Sequence, residues 1–207
     1  MKKFAMYASV ALMTQTLFSI AAVPPNMVLA PAAAKTSEAE TITEETIGGK
    51  SFSVSREVVH AKPEQVWQVL TDYSNAPRVF PMLKKCQVLE DHGCVKVVKH
   101  RITPSGPVGT YEYTLQIKEV PCKIMEWHRI SGDFKEVDGL WKLEPIDGGH
   151  STLVTYSSHV NGGLFFPQMM IKRQFRIDTP QVMASLRKQA ERETTQIAGR
   201  PNSSPTQ

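Results

Sequence analysis

Apolar and polar residues alternate along most of the middle of the chain, which predicts a series of β-strands. The clearest alternation lies in residues 111–118, where every second side chain is apolar or aromatic and the others are polar. A strand with this period has one covered face and one face in water. The predicted strands span residues 51–59, 84–90, 94–102, 110–120, 122–131, 134–145 and 151–160. Short turn segments separate the last six, and such links join antiparallel neighbours.

Helical periodicity precedes and follows the last six strands. In residues 62–74 the apolar side chains fall on one face, and Pro63 suits the first helical turn. Residues 75–83 contain two prolines and predict a short helical turn. A longer helical region begins at Pro167, and the sequence 178–180 (Asp-Thr-Pro) can end one segment and start another. The two apolar stripes of this region are Phe166, Met169, Met170 and Ile177, followed by Val182, Met183, Leu186 and Ala190.

Arg173 lies in the middle of the first stripe rather than opposite to it. A guanidinium group sealed in an apolar interface is destabilising unless it is paired. Three arrangements avoid this penalty. The side chain can extend to solvent along the helix edge, it can pair with a carboxylate such as Glu126, or it can face a cavity and hold the polar head of a ligand. The sequence leaves all three open.

The order of elements is a strand, two short helices, six strands and a long C-terminal helical region. It predicts an α+β fold in which a curved antiparallel sheet grips one helix. One domain is expected at residues 50–193. Residues 35–49 are polar and acidic and end in Gly-Gly, which is typical of a linker. Residues 194–207 have no periodicity and are expected to form a disordered tail.

Residues 1–34 have the pattern of a secretory signal peptide. A basic start is followed by an uncharged apolar run, and the segment 32–34 (Ala-Ala-Ala) supplies a cleavage site before Lys35. An uncleaved membrane anchor is the alternative, but polar residues dilute the run and Pro24-Pro25 ends it early. We therefore expect cleavage and export to a periplasm, a lumen or the extracellular space.

Composition narrows the class of protein further. A hydrophobic fraction of 41% and a charged fraction of 21% are those of a globular protein. The formal net charge of +4 falls by two without residues 1–34, because Lys2 and Lys3 leave and no acid does. A charge this small does not indicate a nucleic-acid partner, and none is predicted.

The three cysteines are Cys86, Cys94 and Cys122. Cys86 and Cys94 flank a predicted turn and can form a disulfide in an oxidising compartment if their Cα atoms lie within about 7 Å. Cys86, His92 and Cys94 provide only three metal ligands and no paired CxxC spacing. Buried free thiols are the preferred interpretation, and neither a metal nor a cofactor is predicted.

Residues 61–90, 131–160 and 167–188, taken in this order, resemble the START-like helix-grip (SRPBCC) superfamily. Within it they are most similar to the polyketide cyclase/dehydrase and coenzyme-Q-binding branches, and the resemblance spans nearly the whole predicted domain. It implies a deep cavity between the concave sheet and the last helix for apolar ligands such as lipids, quinones or polyketides. It does not identify the ligand, because one fold supports many functions.

Large aromatic and methionine side chains are the candidates for the wall of that cavity. Methionine adapts to irregular apolar shapes, and tyrosine and tryptophan offer a polar atom to a ligand. Ordinary core packing uses the same residue types, so each residue taken alone has that alternative. The predicted ligand-binding residues are Tyr111, Tyr113, Trp127, Trp141, Tyr156, Phe166, Met169, Met170 and Arg173.

The preferred functional hypothesis is an exported protein that binds or carries an apolar small molecule. A cyclase/dehydratase-type enzyme using the same cavity is the alternative. The chain has no nucleophile-elbow, HExxH or phosphate-loop motif. Side chains able to transfer a proton are His100, Glu126, His128, Tyr156 and His159.

A third hypothesis is a protein-interaction or membrane-surface module. Basic residues could contact anionic lipid headgroups transiently, although a solvated surface is the simpler interpretation. The residues concerned are Lys96, Lys99, Arg101, Lys172, Arg173 and Arg176.

Overall fold

The computed structural model describes residues 42–164 and 166–198, with side chains as far as residue 192. The predicted signal peptide and most of the predicted tail lie outside these ranges. The described strands are β1 (Thr43–Ile47), β2 (Lys50–Val59), β3 (Leu83–Asp91), β4 (Val95–Ile102), β5 (Tyr111–Val120), β6 (Ile124–Gly132), β7 (Glu136–Ile146) and β8 (Ser151–Asn161). The described α-helices are α1 (Pro63–Thr71), α2 (Ala76–Val79) and α3 (Gln168–Ala198).

All eight strands belong to one antiparallel sheet in the order β1-β2-β8-β7-β6-β5-β4-β3. Every strand from β3 to β8 pairs with its neighbour in sequence, as the short links predict. The sheet is curved, and the long helix α3 lies against it. The predicted α+β helix-grip fold is therefore confirmed.

Strand β1 corrects the prediction that residues 35–49 form a linker. Residues 43–47 pair with β2, and Gly48 and Gly49 form the tight turn between the two strands with φ angles of +57° and +80°. These angles favour glycine and match the twist of a two-residue hairpin. The strand was not predicted because both of its faces are largely exposed, so its sequence lacks an apolar alternation. The domain thus begins before residue 50.

Helix α3 continues through Pro180, where the sequence allowed one helix to end and another to start. Proline lacks an N–H, so the carbonyl of Arg176 loses its helical donor. Burial on both sides of this position holds the rod together. Asp178 and Thr179 are buried just before it, and Val182 and Met183 are buried just after it. The helix also extends to Ala198, which corrects the predicted start of the tail at residue 194.

The solid core of the domain lies at one end of the sheet. It joins the inner face of β2, β7 and β8 to α1 and to the second half of α3. In α1, Val66 and Leu70 are buried and Pro63 occupies the first turn, as its sequence predicts. In α3, Met183 and Leu186 are 1% and 0% exposed. Within the described residues, no helix is long and apolar enough to cross a bilayer.

A candidate ligand-binding cavity

The rest of the space between the sheet and α3 is a cavity of about 780 Å³. Its floor is the concave face of strands β3 to β8, and its roof is the first half of α3, residues 168–177. The loop 103–110 between β4 and β5 closes one side together with Phe80 and Met82. Cavities of this size are typical of small-molecule sites. The interior is thus hollow at one end and solid at the other.

One aromatic cluster lies beneath the start of α3. Tyr111 contacts Phe134 at a centroid distance of 5.1 Å and Phe166 at 5.3 Å, and Tyr113 contacts Phe134 at 5.7 Å. Phe166 packs directly onto Gly162, where a Cβ atom would lie 2.2 Å from that of Phe166. Edge and tilted contacts of this kind favour a rigid wall.

A second aromatic cluster lines the cavity on β6, β7 and β8. The ring of Tyr156 lies 4.4 Å from Trp141 and 6.0 Å from Trp127. Gly139 makes room for Trp127, because a Cβ atom at this position would lie 2.4 Å from the indole ring. The position of the Trp127 ring in this cluster therefore requires glycine at position 139. The alternation of apolar and polar residues does not predict this requirement.

The structure brings together all but one of the predicted ligand-binding side chains. Met169 does not line the cavity, because its side chain is 81% exposed on the outer side of α3. Met170 lies at the rim, where it lines the cavity and is still 59% exposed. The predicted residues that line the cavity are Tyr111, Tyr113, Trp127, Trp141, Tyr156, Phe166, Met170 and Arg173.

Arg173 lies at the rim of the cavity and is exposed. Among the described side chains no carboxylate pairs with it, and Glu126 lies exposed on β6 outside the cavity lining. Of the three arrangements open from the sequence, the pairing with Glu126 is not observed. The guanidinium group instead reaches solvent at the cavity mouth, because Arg173 has turned away from the sealed part of the interface.

A hydrogen-bonded latch joins α3 to the loop 103–110. The carboxylate of Asp178 accepts a hydrogen bond from the backbone N–H of Ser105 at 3.1 Å. The side-chain amide of Gln174 donates to the carbonyl oxygen of Ser105 at 2.9 Å and to Asp178 at 2.7 Å. Asp178 is 4% exposed. These two side chains, one helical turn apart, fix both polar backbone groups of one loop residue.

The cavity floor also contains two polar residues that were not among the predicted ligand-binding residues, Cys86 and His100. Cys86, His100 and Tyr113 occupy directly paired positions on β3, β4 and β5. All three line the cavity. The position of His100 was available from the sequence, because Val98, His100 and Ile102 share the apolar parity of β4 while Lys99 and Arg101 occupy the other face.

Burial keeps these floor residues uncharged. It lowers the pKa of His100 to about 4 and raises the pKa of the Cys86 thiol to about 11. It likewise raises the pKa of Tyr113 above its usual value and that of Tyr156 to about 12. His100 and Tyr113 keep some accessible surface although protein surrounds them, because that surface faces the cavity. At neutral pH the floor therefore presents neutral hydrogen-bonding groups.

Only two of the five side chains named for proton transfer reach the cavity, namely His100 and Tyr156. Glu126 and His128 are exposed on β6. His159 lies on the opposite face of β8, where its Nδ1–H donates a hydrogen bond to the carbonyl oxygen of Ser51 at 2.8 Å. The sequence had offered Glu126 as a carboxylate for the cavity. Among the described residues, no carboxylate on the sheet lines it.

The cysteines are not positioned to form a bridge on β3 and β4. Cys86 pairs with His100, whereas Cys94 lies just before the start of β4, so they are separated by about 20 Å at 3.3 Å per residue. Cys86 is half-buried and Cys94 is exposed. In the part of the chain that the structure describes, no three metal-ligating side chains converge.

Three solved structures have a similar fold. The Zhui aromatase/cyclase from Streptomyces sp. R1128 has a TM-score of 0.62 at 17% identity, covering 69% of this chain and 94% of its own. A STAR-related lipid transfer protein from Xanthomonas axonopodis has a TM-score of 0.62 at 17% identity, covering 76% and 97%. A START superfamily protein from Mycobacterium smegmatis has a TM-score of 0.59 at 18% identity, covering 68% and 97%. At these identities the likeness establishes the fold.

The sequence itself carries a family match. Residues 59–187 match the family described as polyketide cyclase / dehydrase and lipid transport. No curated protein matches the chain. The matched region runs from the end of β2 into α3 and includes the described cavity wall from β3 to β8. The chain therefore belongs to the polyketide cyclase/dehydrase and lipid transport family.

Proposed function

We propose that this protein binds an apolar small molecule in the cavity and carries it outside the cytoplasm. The unfilled space between the sheet and α3 is the observation that supports this proposal. Protein interiors are normally close-packed, so a space of about 780 Å³ between a sheet and a helix is typical of a small-molecule site rather than of a core. Its walls favour an apolar guest.

The walls also restrict the charge of the guest. Aromatic and aliphatic side chains form most of the lining, and the floor residues His100, Tyr113 and Tyr156 are neutral at physiological pH. Arg173 at the mouth is the described cation best placed for an anionic head group. A lipid, a quinone or a polyketide-like compound would fit these requirements.

A cavity-filling substitution tests binding directly. Cys86 faces the cavity, and its neighbour Gln87 is exposed on the other face of β3. We expect Cys86→Trp to weaken binding of fluorene at least tenfold in equilibrium dialysis, whereas Gln87→Trp leaves it unchanged. Native mass spectrometry of the purified wild-type protein should also reveal a co-purified apolar ligand. Equal fluorene affinity in both variants would exclude the cavity as the site.

Delivery at a membrane surface is the second part of the proposal. Leu164 is 99% exposed and lies close in sequence to the exposed Met169 and Met170 at the rim. Four of the six basic residues considered above, Lys96, Lys99, Arg101 and Lys172, pair with carboxylates. Arg176 lies near enough to Glu44 to help lower the pKa of that carboxyl. Arg173 has no ion pair among the described residues, so it is the cation that lies with the apolar groups on this rim.

Vesicle sedimentation tests the membrane contact. We expect the protein to bind vesicles that contain phosphatidylglycerol more strongly than vesicles of phosphatidylcholine alone. Met169→Glu should reduce this binding, and the matched control Leu89→Glu, at an exposed leucine on β3, should not. Equal binding of both vesicle types would contradict the proposal.

Export rests on the sequence of residues 1–34, and N-terminal sequencing tests it. We expect the mature protein in the extracytoplasmic fraction to begin at Lys35. A full-length protein confined to the cytoplasm would overturn this part of the proposal without affecting ligand binding.

A cyclase/dehydratase activity is the alternative function, and one observation favours it. His100 and Tyr156 both reach the cavity and are able to donate or accept a proton there. The low pKa of His100 makes it a weak base at neutral pH, which favours binding over catalysis. Conversion of a poly-β-ketone by the wild-type protein, lost in His100→Phe, would establish the enzyme.

A further inference from the structure

We infer that His100 and Tyr113 form a subsite for an uncharged carbonyl or hydroxyl oxygen on an otherwise apolar ligand. This inference rests on the proposed function, because it concerns the same cavity. It specifies which atom of the guest is recognised and which residues recognise it.

The two side chains are directly opposed on neighbouring strands. His100 on β4 pairs with Tyr113 on β5, and their rings meet edge to face with centroids 5.7 Å apart. Both line the cavity from the concave face of the sheet. Cross-strand neighbours at this spacing can contact the same ligand atom.

Neither side chain has a hydrogen-bond partner among the described residues, whereas the other tyrosines near them do. The hydroxyl of Tyr73 donates to Glu119 at 2.5 Å, and that of Tyr111 donates to the carbonyl oxygen of Val108. Tyr156 interacts with the hydroxyl of Ser158. The polar groups of His100 and Tyr113 are accessible from the cavity and are not used by the protein, so they are open to a hydrogen-bond partner that enters from the cavity.

The chemistry of the pair selects a neutral oxygen. A neutral imidazole has one N–H donor, and the phenol has one O–H donor, so both can donate to the same carbonyl oxygen. A hydroxyl group can donate to the free imidazole nitrogen instead. A carboxylate would be desolvated there without a cation beside it, because the nearest lining cation, Arg173, lies at the rim.

Three probes of similar shape test the subsite: fluorene, 9-fluorenone and fluorene-9-carboxylate. Equilibrium dialysis gives the ratio of the fluorenone affinity to the fluorene affinity in each variant. A hydrogen bond contributes about 0.5–1.5 kcal/mol, which corresponds to about 2- to 12-fold. We expect Tyr113→Phe and His100→Phe each to lower the ratio by this factor and to leave fluorene affinity within about twofold.

A matched control removes a hydroxyl that the protein itself already uses. Tyr73→Phe should leave the ratio unchanged, although it loses the hydrogen bond to Glu119. The infrared carbonyl band of bound fluorenone should lie at lower frequency in the wild-type protein than in Tyr113→Phe. The carboxylate should bind more weakly than fluorenone.

The outcomes separate the subsite from the proposed function. If fluorene and fluorenone bind but Tyr113→Phe and His100→Phe both show the wild-type ratio, the subsite is overturned and the cavity remains the binding site. If neither probe binds the wild-type protein, the carrier function fails and the subsite fails with it. A carboxylate that binds as tightly as fluorenone would also overturn the selection of a neutral oxygen.

Discussion

The two halves of helix α3 pack differently, although they form one continuous helix. Residues 168–177 cover the cavity and leave Met169, Met170 and Ile177 more than 40% exposed. After Pro180 the helix buries Met183 and Leu186 almost completely in the solid core. The comparison shows that an amphipathic stripe on a helix indicates which side faces inward, but not whether that side meets side chains or a void.

Removal of a core side chain from the second half of α3 should cause the largest loss of stability. We expect Leu186→Ala to lower the free energy of unfolding by about 2–5 kcal/mol, because the residue is 0% exposed and leaves a cavity in packed surroundings. Urea denaturation gives this value. Lys188→Ala, on the exposed side of the same half, is the control and should change it by less than about 0.5 kcal/mol. A small loss for Leu186→Ala would contradict the solid-core assignment.

Acid should lower the free energy of unfolding because His100, in the floor of the cavity, becomes protonated. The unfolded chain takes up a proton near pH 6.5, but the folded protein does so only near pH 4, because burial opposes the charge. Stability is therefore highest above pH 6.5 and is lost as pH falls from 6.5 to 4. We expect a loss of about 2–3 kcal/mol in this window from this group. Its neighbours Cys86 and Tyr113 stay neutral throughout.

The variant His100→Phe isolates this effect. Its unfolding free energy, measured by urea denaturation at several pH values, should be nearly constant between pH 6.5 and 4.5. Below that, carboxylates with lowered pKa values, such as Glu112 and Glu136, should destabilise both proteins. An identical slope in the wild type and the variant above pH 4.5 would show that His100 is not the titrating group.

The latch at the junction of the two halves should contribute less. We expect Asp178→Ala to destabilise the fold by about 1–3 kcal/mol, because it leaves the partly buried N–H of Ser105 without an acceptor. Hydrogen exchange should rise at Ser105 more than in the core strands. The control Asp147→Ala, in the turn before β8, should not affect exchange at Ser105.

The smallest change in the free energy of unfolding is expected for a substitution in the part of α3 that covers the cavity. Met170→Ala should alter the free energy of unfolding by less than about 0.5 kcal/mol, because the side chain is 59% exposed at the rim. Thermal denaturation of the variant and the wild type provides the comparison. A loss above about 2 kcal/mol would mean that the first half of α3 also packs against a solid core.

Much of the fold was available from the alternation of residues. The strands from β3 to β8 were predicted because each has a covered and a wet face. Strand β1 was not, because its residues are polar on both sides and its pairing with β2 is fixed by the Gly48-Gly49 turn. Continuity of α3 through Pro180 depends on tertiary burial, which a local pattern does not contain.

The site was less predictable than the fold. The alternation of inward and outward side chains along a strand predicts that Tyr113 and Tyr156 face the cavity. The same alternation in β4 predicts this for His100. Met169 and Met170 are adjacent in one apolar segment, yet only Met170 reaches the lining, because successive side chains of a helix point about 100° apart. Cys86 and the loop residue Ser105 reach the cavity through sheet register and long-range contacts, which sequence spacing does not give.

Pro180 lies at the junction between the roof of the cavity and the part of the helix that is anchored in the core. With no N–H at this residue, the backbone spans the junction with one hydrogen bond fewer. Continuity of the helix across the junction therefore relies on side-chain burial and on the hydrogen bonds of Gln174 and Asp178 to Ser105, so the roof is positioned by its contacts with the loop as well as by the helix backbone.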